Sequence, residues 1–169
     1  MIRFQQIDKK KQNGENFISM VIFNKSIVRN KKSNNQSQYS PFKDDFALFY
    51  LSLLVGLKLN LKKNTNDYDL KEMTDEWTQE LNEGSNAKDY IIALFLSRKI
   101  KDYKNDKSKI QEIMNKTLDS KRRSSLSSDG LKELHEYCFG GYEKILEECG
   151  NQTPSSIVVF LNKIKKILR

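Results

Sequence analysis

The chain of 169 residues carries 30 Lys and Arg against 22 Asp and Glu, a net charge of +8, and is 37% hydrophobic and 10% aromatic. That length suits one domain, residues 1–169, with a core that needs neither disulfides nor metal, and the apolar content excludes a chain disordered throughout. Two cysteines and a single histidine are too few for a zinc site.

Residues 1–40 read as an irregular basic segment. The runs "MIRFQQI" and "NFISMVIF" are strand-like, with "DKKKQNGE" between them, which predicts a small N-terminal β-hairpin. The polar stretch "NKKSNNQSQYS" has loop composition. Residues 1–35 set Arg3, Lys9, Lys10, Lys11, Lys25, Arg29, Lys31 and Lys32 against Asp8 and Glu15, a balance of +6. Lys9, Lys10, Lys11, Lys31 and Lys32 are therefore candidate nucleic-acid contacts, acting on phosphates by counterion release. The competing reading is a solvated, solubilising charge run, and Lys is a poorer base reader than Arg. The start "MIRFQQIDKKK" lacks the apolar core of a secretory signal, which predicts a cytoplasmic protein.

The helical body is expected to begin at Ser40-Pro41, a cap followed by a residue suited to the first helical position, with Asp44 and Asp45 complementing the helix dipole. Phe42, Phe46, Phe49 and Leu53 share one face, and Ala47, Leu48, Leu51 and Leu54 make the other sides apolar, as in a central helix. The run "FALFYLSLLVGL" is too short to span a bilayer. Gly56 is expected to end this helix, with "GLKLNLKKN" continuing as a short extended segment. A second helix is predicted over 69–82 from the stripe Leu70, Met73, Trp77 and Leu81, and a third, apolar on most sides, from "SNAKDYIIALFLSRKI". Ile110, Ile113, Met114 and Leu118 give a short amphipathic helix. The Ser-rich "DSKRRSSLSSD" reads as a linker or loop ending in a cap for the next helix.

The next helix holds an anomaly in "LHEYCFGGYEKILEECG". Leu131, Leu134, Cys138, Tyr142, Ile145 and Cys149 share its apolar face, with Gly141 at the edge and Gly140 nearly opposite. Each glycine costs about 1 kcal/mol relative to alanine inside a helix. Either Gly141 admits a neighbouring backbone, or the pair marks a bend; the first reading expects Gly140→Ala to be mild or stabilising and Gly141→Leu to be damaging. Cys138 and Cys149 face the same way but stand roughly 16 Å apart along a continuous helix, beyond disulfide reach. His135 reads as a boundary residue. Thr153-Pro154 is expected to start the last helix, with Ile157, Leu161, Ile164 and Leu168 as its buried stripe and Lys163, Lys166 and Arg169 projecting towards solvent or a partner. Residues 156–169 carry Lys163, Lys165, Lys166 and Arg169 and no acid, a balance of +4.

Catalytic patterns are weak. Asp102-x-Lys104 and Asp119-x-Lys121, with Asp89 upstream, have the spacing of a metal-dependent nuclease, but such spacings arise by chance in a chain this charged. "FGGYEK" is too sparse in glycine for a phosphate loop, and no Walker-type loop is present. No catalytic, metal or cofactor-binding residue is assigned, and neither a cofactor, a small-molecule substrate nor a membrane is expected.

The order of "F-x-D-x-F", a helix ending "GLKLNLKK", the apolar "YIIALFLS" and then "DGLKELHEYCFGGYEKILEE" resembles the DNA phosphorothioation (Dnd) system-associated protein 4 family, over roughly residues 42–165. Tyr137, Gly140, Gly141 and Ile145 carry the most specific part. The pattern also resembles small accessory subunits of SMC-like ATPase defence systems of the Lamassu type. The resemblance implies a noncatalytic accessory subunit of a bacterial antiphage complex acting on DNA, partnered by larger ATPase, nuclease or DNA-modification subunits, with DNA reached through the complex. Tyr137, Gly140, Gly141, Lys163, Lys166 and Arg169 are the candidate helix-packing or interface residues. A stand-alone DNA-binding regulator is the alternative and a small metal-dependent nuclease the third. The fold expected is a mainly α, compact bundle of about five to seven helices.

Overall fold

The structure, a computed structural model, describes residues 5–10, 45–64, 68–72, 77, 87–103, 105–150, 154 and 156–169. Among them the chain is mainly α. Strand β1 (Gln5–Lys10) is followed by α1 (Asp45–Leu59), β2 (Tyr68–Glu72), α2 (Ala87–Ile100) with a 3-10 turn at Lys101–Tyr103, α3 (Lys107–Thr117), α4 (Ser128–Glu148) and α5 (Ile157–Leu168). The principal contact is between α1 and α4, and the other helices pack around that pair.

Helix α1 is buried on most sides, with Phe49, Ser52, Leu53, Val55 and Leu57 in the interior. It does not end at Gly56, as the sequence suggested. It runs one turn further to Leu59 and closes on Asn60, whose φ of 58° lies in the left-handed region that asparagine tolerates. The Leu61 amide donates to the Gly56 carbonyl at 2.9 Å, which completes a Schellman-type cap. The extended segment is thus confined to residues after Asn60, and its Lys63 amide donates to the Glu136 carbonyl of α4. The expected start at Ser40-Pro41 lies outside the described residues.

Gly56 continues the helix because α4 leaves no room for a side chain there. A Cβ on Gly56 would collide with the Tyr137 carbonyl oxygen. One on Gly141 would strike the Ser52 carbonyl and come within 2.5 Å of the Gly56 amide nitrogen. Gly140 faces another strand of backbone, the Leu61 carbonyl and, at 3.0 Å, the Lys62 nitrogen. Helix α4 is continuous over 21 residues, so the glycine pair is not a bend. Nor is Gly140 on an open side: α4 is covered by α1 on one side and by residues 61–62 on another, which the wheel of a single apolar face does not anticipate.

The predicted helix over 69–82 is not formed at its start. Tyr68–Glu72 is a strand paired antiparallel with β1, Gln5 opposite Glu72 and Lys10 opposite Tyr68, with an irregularity between Ile7 and Lys9. "YDLKE" alternates with period two as readily as it fits a helical stripe, and pairing decides between them. The strand β1 therefore exists, but its partner is distant in sequence and is not the expected hairpin neighbour; residues 16–23 lie outside the described residues. Trp77 is buried without belonging to a helix, its ring stacked on Tyr50 and its indole nitrogen donating to the Ser124 carbonyl at 2.8 Å. Met73 and Leu81 are outside the described residues.

Helix α2 is one-sided rather than apolar on most sides. It buries Ile92 and Phe95 and leaves Tyr90 and Leu94 exposed. Asp106 caps α3 by accepting from the Lys109 amide. The Ser-rich connection that follows is packed into the core, with Leu126 and Ser124 buried and Leu118 bridged to Leu126. Ser127 joins two helices: its hydroxyl donates to the Lys116 carbonyl at the end of α3 and accepts from the Gly130 amide at the start of α4.

The backbone contact fixes the outcome of three substitutions. Gly56→Ala, Gly140→Ala and Gly141→Ala should each destabilise the protein by about 1–3 kcal/mol in chemical denaturation, because steric overpacking outweighs the better helix propensity of alanine. The Ser52 hydroxyl is buried in the same contact without a hydrogen-bond partner. Ser52→Ala should therefore be neutral or stabilising by about 1 kcal/mol. A destabilised Ser52→Ala alongside tolerated glycine variants would contradict this packing.

Candidate functional site

Two features of the described residues stand out chemically, a polar junction at one edge of the core and the outer face of α5. The junction gathers side chains far apart in sequence. Glu133 on α4 receives Lys62 at 2.6 Å on one carboxylate oxygen and Lys99 of α2 on the other. Lys99 also donates to the Thr117 hydroxyl of α3, and Lys62 lies 4.8 Å from the centre of the Tyr137 ring. Burial pushes the Glu133 carboxyl up, but the hydrogen bonds from Lys62 and Lys99 outweigh it and hold the group below the usual carboxylate range. Burial likewise disfavours the Lys62 charge, and the Glu133 hydrogen bond more than restores it.

Tyr137 is buried edge-on to Phe95, with its hydroxyl donating to Asn60 Oδ1, which also accepts from Arg98. The junction engages each of Glu133, Lys62 and Lys99 with another part of the chain. It ties α2, α3, α4 and the end of α1 together and offers no convergent acid–base pair. Sequence reading missed it because Lys62 and Lys99 reach Glu133 from 71 and 34 residues away.

Two further acids are engaged locally or across the core. Asp119 accepts from the Lys121 amide two residues on, and Glu143 pairs with Lys63. Asp89 and Asp102 are exposed on separate elements. Among the described residues no group of three His, Cys, Asp or Glu side chains is placed to hold a metal ion. An open depression at the turn after α2 is lined by Lys101, Asp102, Tyr103, Asn105, Asp106 and Lys107, and Asp106 there is committed to capping α3. His135 is no boundary residue. It is 1% exposed between Phe49 and Phe139, and desolvation lowers its pKa to about 3, so it is a neutral core ring.

The outer face of α5 differs from the expected one by a rotation. Ser156, rather than Thr153-Pro154, caps the helix, and the buried stripe is Phe160, Ile164 and Ile167. Two apolar rows exist on this helix, and packing selects the one containing the aromatic side chain, which has the larger area to bury. Of the expected stripe, Ile164 is buried and Leu168 packs against the core, whereas Leu161 is 55% exposed and Ile157 37%, with Val158 beside them at 63%. The second half of the helix is also tied to its neighbours. Lys163 donates to the Glu148 carbonyl at the end of α4, Lys166 pairs with the Glu148 carboxylate, and Lys58 of α1 donates to the Leu168 carbonyl.

The candidate residues thus separate. Tyr137, Gly140 and Gly141 serve packing inside the protein and are closed to a partner. Lys163 and Lys166 both bond to Glu148 at the end of α4, Lys166 while remaining exposed, and Arg169 is exposed. Lys9 and Lys10 fall on β1, while Lys11, Lys31 and Lys32 lie outside the described residues. No described helix is long and apolar enough to cross a membrane. In comparisons with protein-family models, curated proteins and solved structures, nothing matches the chain.

The electrostatics give a definite pH response. The folded pKa of His135, about 3, lies below its unfolded value of 6.5, so its burial contributes stability that is complete above pH 6.5 and is lost as the pH falls towards 3. The loss should approach about 1.4 kcal/mol per pH unit within that window. Glu133, whose folded pKa is also lowered, adds to the loss only below its ordinary value of 4.5. Chemical denaturation at a series of pH values should show stability falling from pH 6.5 downward, and His135→Gln should flatten the part above pH 4.5. An unchanged slope in that variant would exclude His135 as the cause.

Proposed function

We propose that the chain is a noncatalytic helical subunit that acts by binding larger protein partners. The resemblance of residues 42–165 to the phosphorothioation-associated family gives this reading its setting, an antiphage complex acting on DNA. What supports it is the outer face of α5, where Ile157, Val158 and Leu161 are exposed on a helix fixed to the core by Lys163, Lys166 and Lys58. Isolated exposed aliphatic residues are ordinary on protein surfaces, but adjacent ones on one rigid helix form a contact patch. A subunit of this kind supplies shape and adhesion, while ATP hydrolysis, strand cleavage or base modification belongs to its partners.

Coexpression with the products of neighbouring genes tests the reading. The parent chain should co-elute with its partners, and a variant carrying Val158→Glu and Leu161→Glu should keep its melting temperature within a few degrees but lose co-elution and phage protection. The isolated parent should shift duplex DNA weakly at physiological salt. Tight, steeply salt-dependent DNA binding by the isolated chain would favour the stand-alone regulator instead, and divalent-metal-dependent cleavage would favour the nuclease.

A further inference from the structure

We infer that the exposed face of α5 is a docking site for an amphipathic helix carrying aliphatic residues in one half and carboxylates in the other. This deepens the proposed function and rests on it. The face is polarised along its length. Ile157, Val158 and Leu161 occupy its first half, and Lys165 and Arg169 follow on the same side at helical spacing. All five are exposed. The four cations of residues 156–169 therefore divide by role. Lys163 and Lys166 are spent on Glu148, whereas Lys165 and Arg169 have no carboxylate partner among the described residues.

That pattern selects among occupants. A second copy of the chain fits poorly. Two α5 faces packed antiparallel would press Lys165 and Arg169 of one against the Ile157–Leu161 patch of the other, burying unpaired charge. Packed parallel, they would set like charges opposite each other. An anionic membrane surface fits poorly too, because interfacial helices insert a broad apolar face, and here Phe160, Ile164 and Ile167 are already turned into the core. A helix whose aliphatic ridge meets Ile157, Val158 and Leu161 and whose Asp or Glu residues meet Lys165 and Arg169 satisfies both halves at once.

The test uses the full chain and two labelled synthetic amphipathic peptides of identical aliphatic pattern, one with Glu and one with Lys in its second half. Fluorescence anisotropy should give micromolar binding of the Glu peptide and binding at least about tenfold weaker for the Lys peptide. Lys165→Glu with Arg169→Glu, a change on exposed positions that should leave the melt intact, should reverse that preference. Equal affinity for the two peptides, or a preference untouched by the charge reversal, would overturn the inference. So would binding to phosphatidylglycerol vesicles in place of the peptide, or self-association in sedimentation that Leu161→Glu abolishes. Where Leu161→Glu with Val158→Glu breaks partner co-elution but the charge reversal does not, the docking chemistry is wrong and the proposed function stands. Where neither variant affects co-elution, both fall.

Discussion

The contact between the backbones of α1 and α4 is the constraint from which the other features of the structure follow. Three positions without side chains, Gly56, Gly140 and Gly141, let the two helices and the segment after α1 meet main chain to main chain. Close approach brings many atoms into dispersion contact, which compensates for the conformational freedom that glycine loses in a helix. It also dictates what surrounds it. Phe49 is carried onto His135, residues 61–63 are laid along α4, and the Ser52 hydroxyl is sealed in without a partner. Because α1 and α4 cannot slide past each other without a collision, they present a fixed frame to the shorter helices.

The charges of the protein are sorted on that frame. Glu133 gathers Lys62 and Lys99 where α2 and the end of α1 meet α4, and Glu148 gathers Lys163 and Lys166 where α5 meets it. The first junction is partly buried, with side chains that are 14–42% exposed, so its hydrogen bonds matter more than those of a surface pair. The second lies beside the packing of Phe160, Ile164 and Ile167, which sets the rotation of α5 and so which of its two apolar rows faces outward.

Much of this was legible in the sequence, and the failures have identifiable causes. The apolar face of α4 was readable because its period is strong and the helix is long. Gly141 was readable as a close-approach position on the same wheel. Gly140 was misjudged because a wheel shows a single face and cannot reveal that residues 61–62 cover the opposite one. Gly56 was misread as a terminator because local propensity disfavours glycine in a helix, whereas the tertiary contact requires it. Tyr68–Glu72 fitted two periods, and only its pairing with β1 resolved the choice. In α5 both rows were apolar, so the outward face, and with it the candidate site, depended on packing that the sequence does not display. The Glu133 junction left no local signal, since its partners approach from other helices.

The proposed function depends on the rigidity of this frame, and the frame depends on the backbone contact between Gly141 and Gly56. Nuclear Overhauser measurements on the isotope-labelled chain reach that contact without altering any residue. A Cβ position on Gly141 lies 2.5 Å from the Gly56 amide nitrogen, so one Gly141 α-proton must be close to the Gly56 amide proton. A strong cross-peak between these two protons is the expected result, accompanied by contacts from a Gly140 α-proton to the Leu61–Lys62 backbone. Side-chain contacts between α1 and α4 without any of these backbone cross-peaks would mean that the helices stand a full side chain apart, and the account would be contradicted at its base.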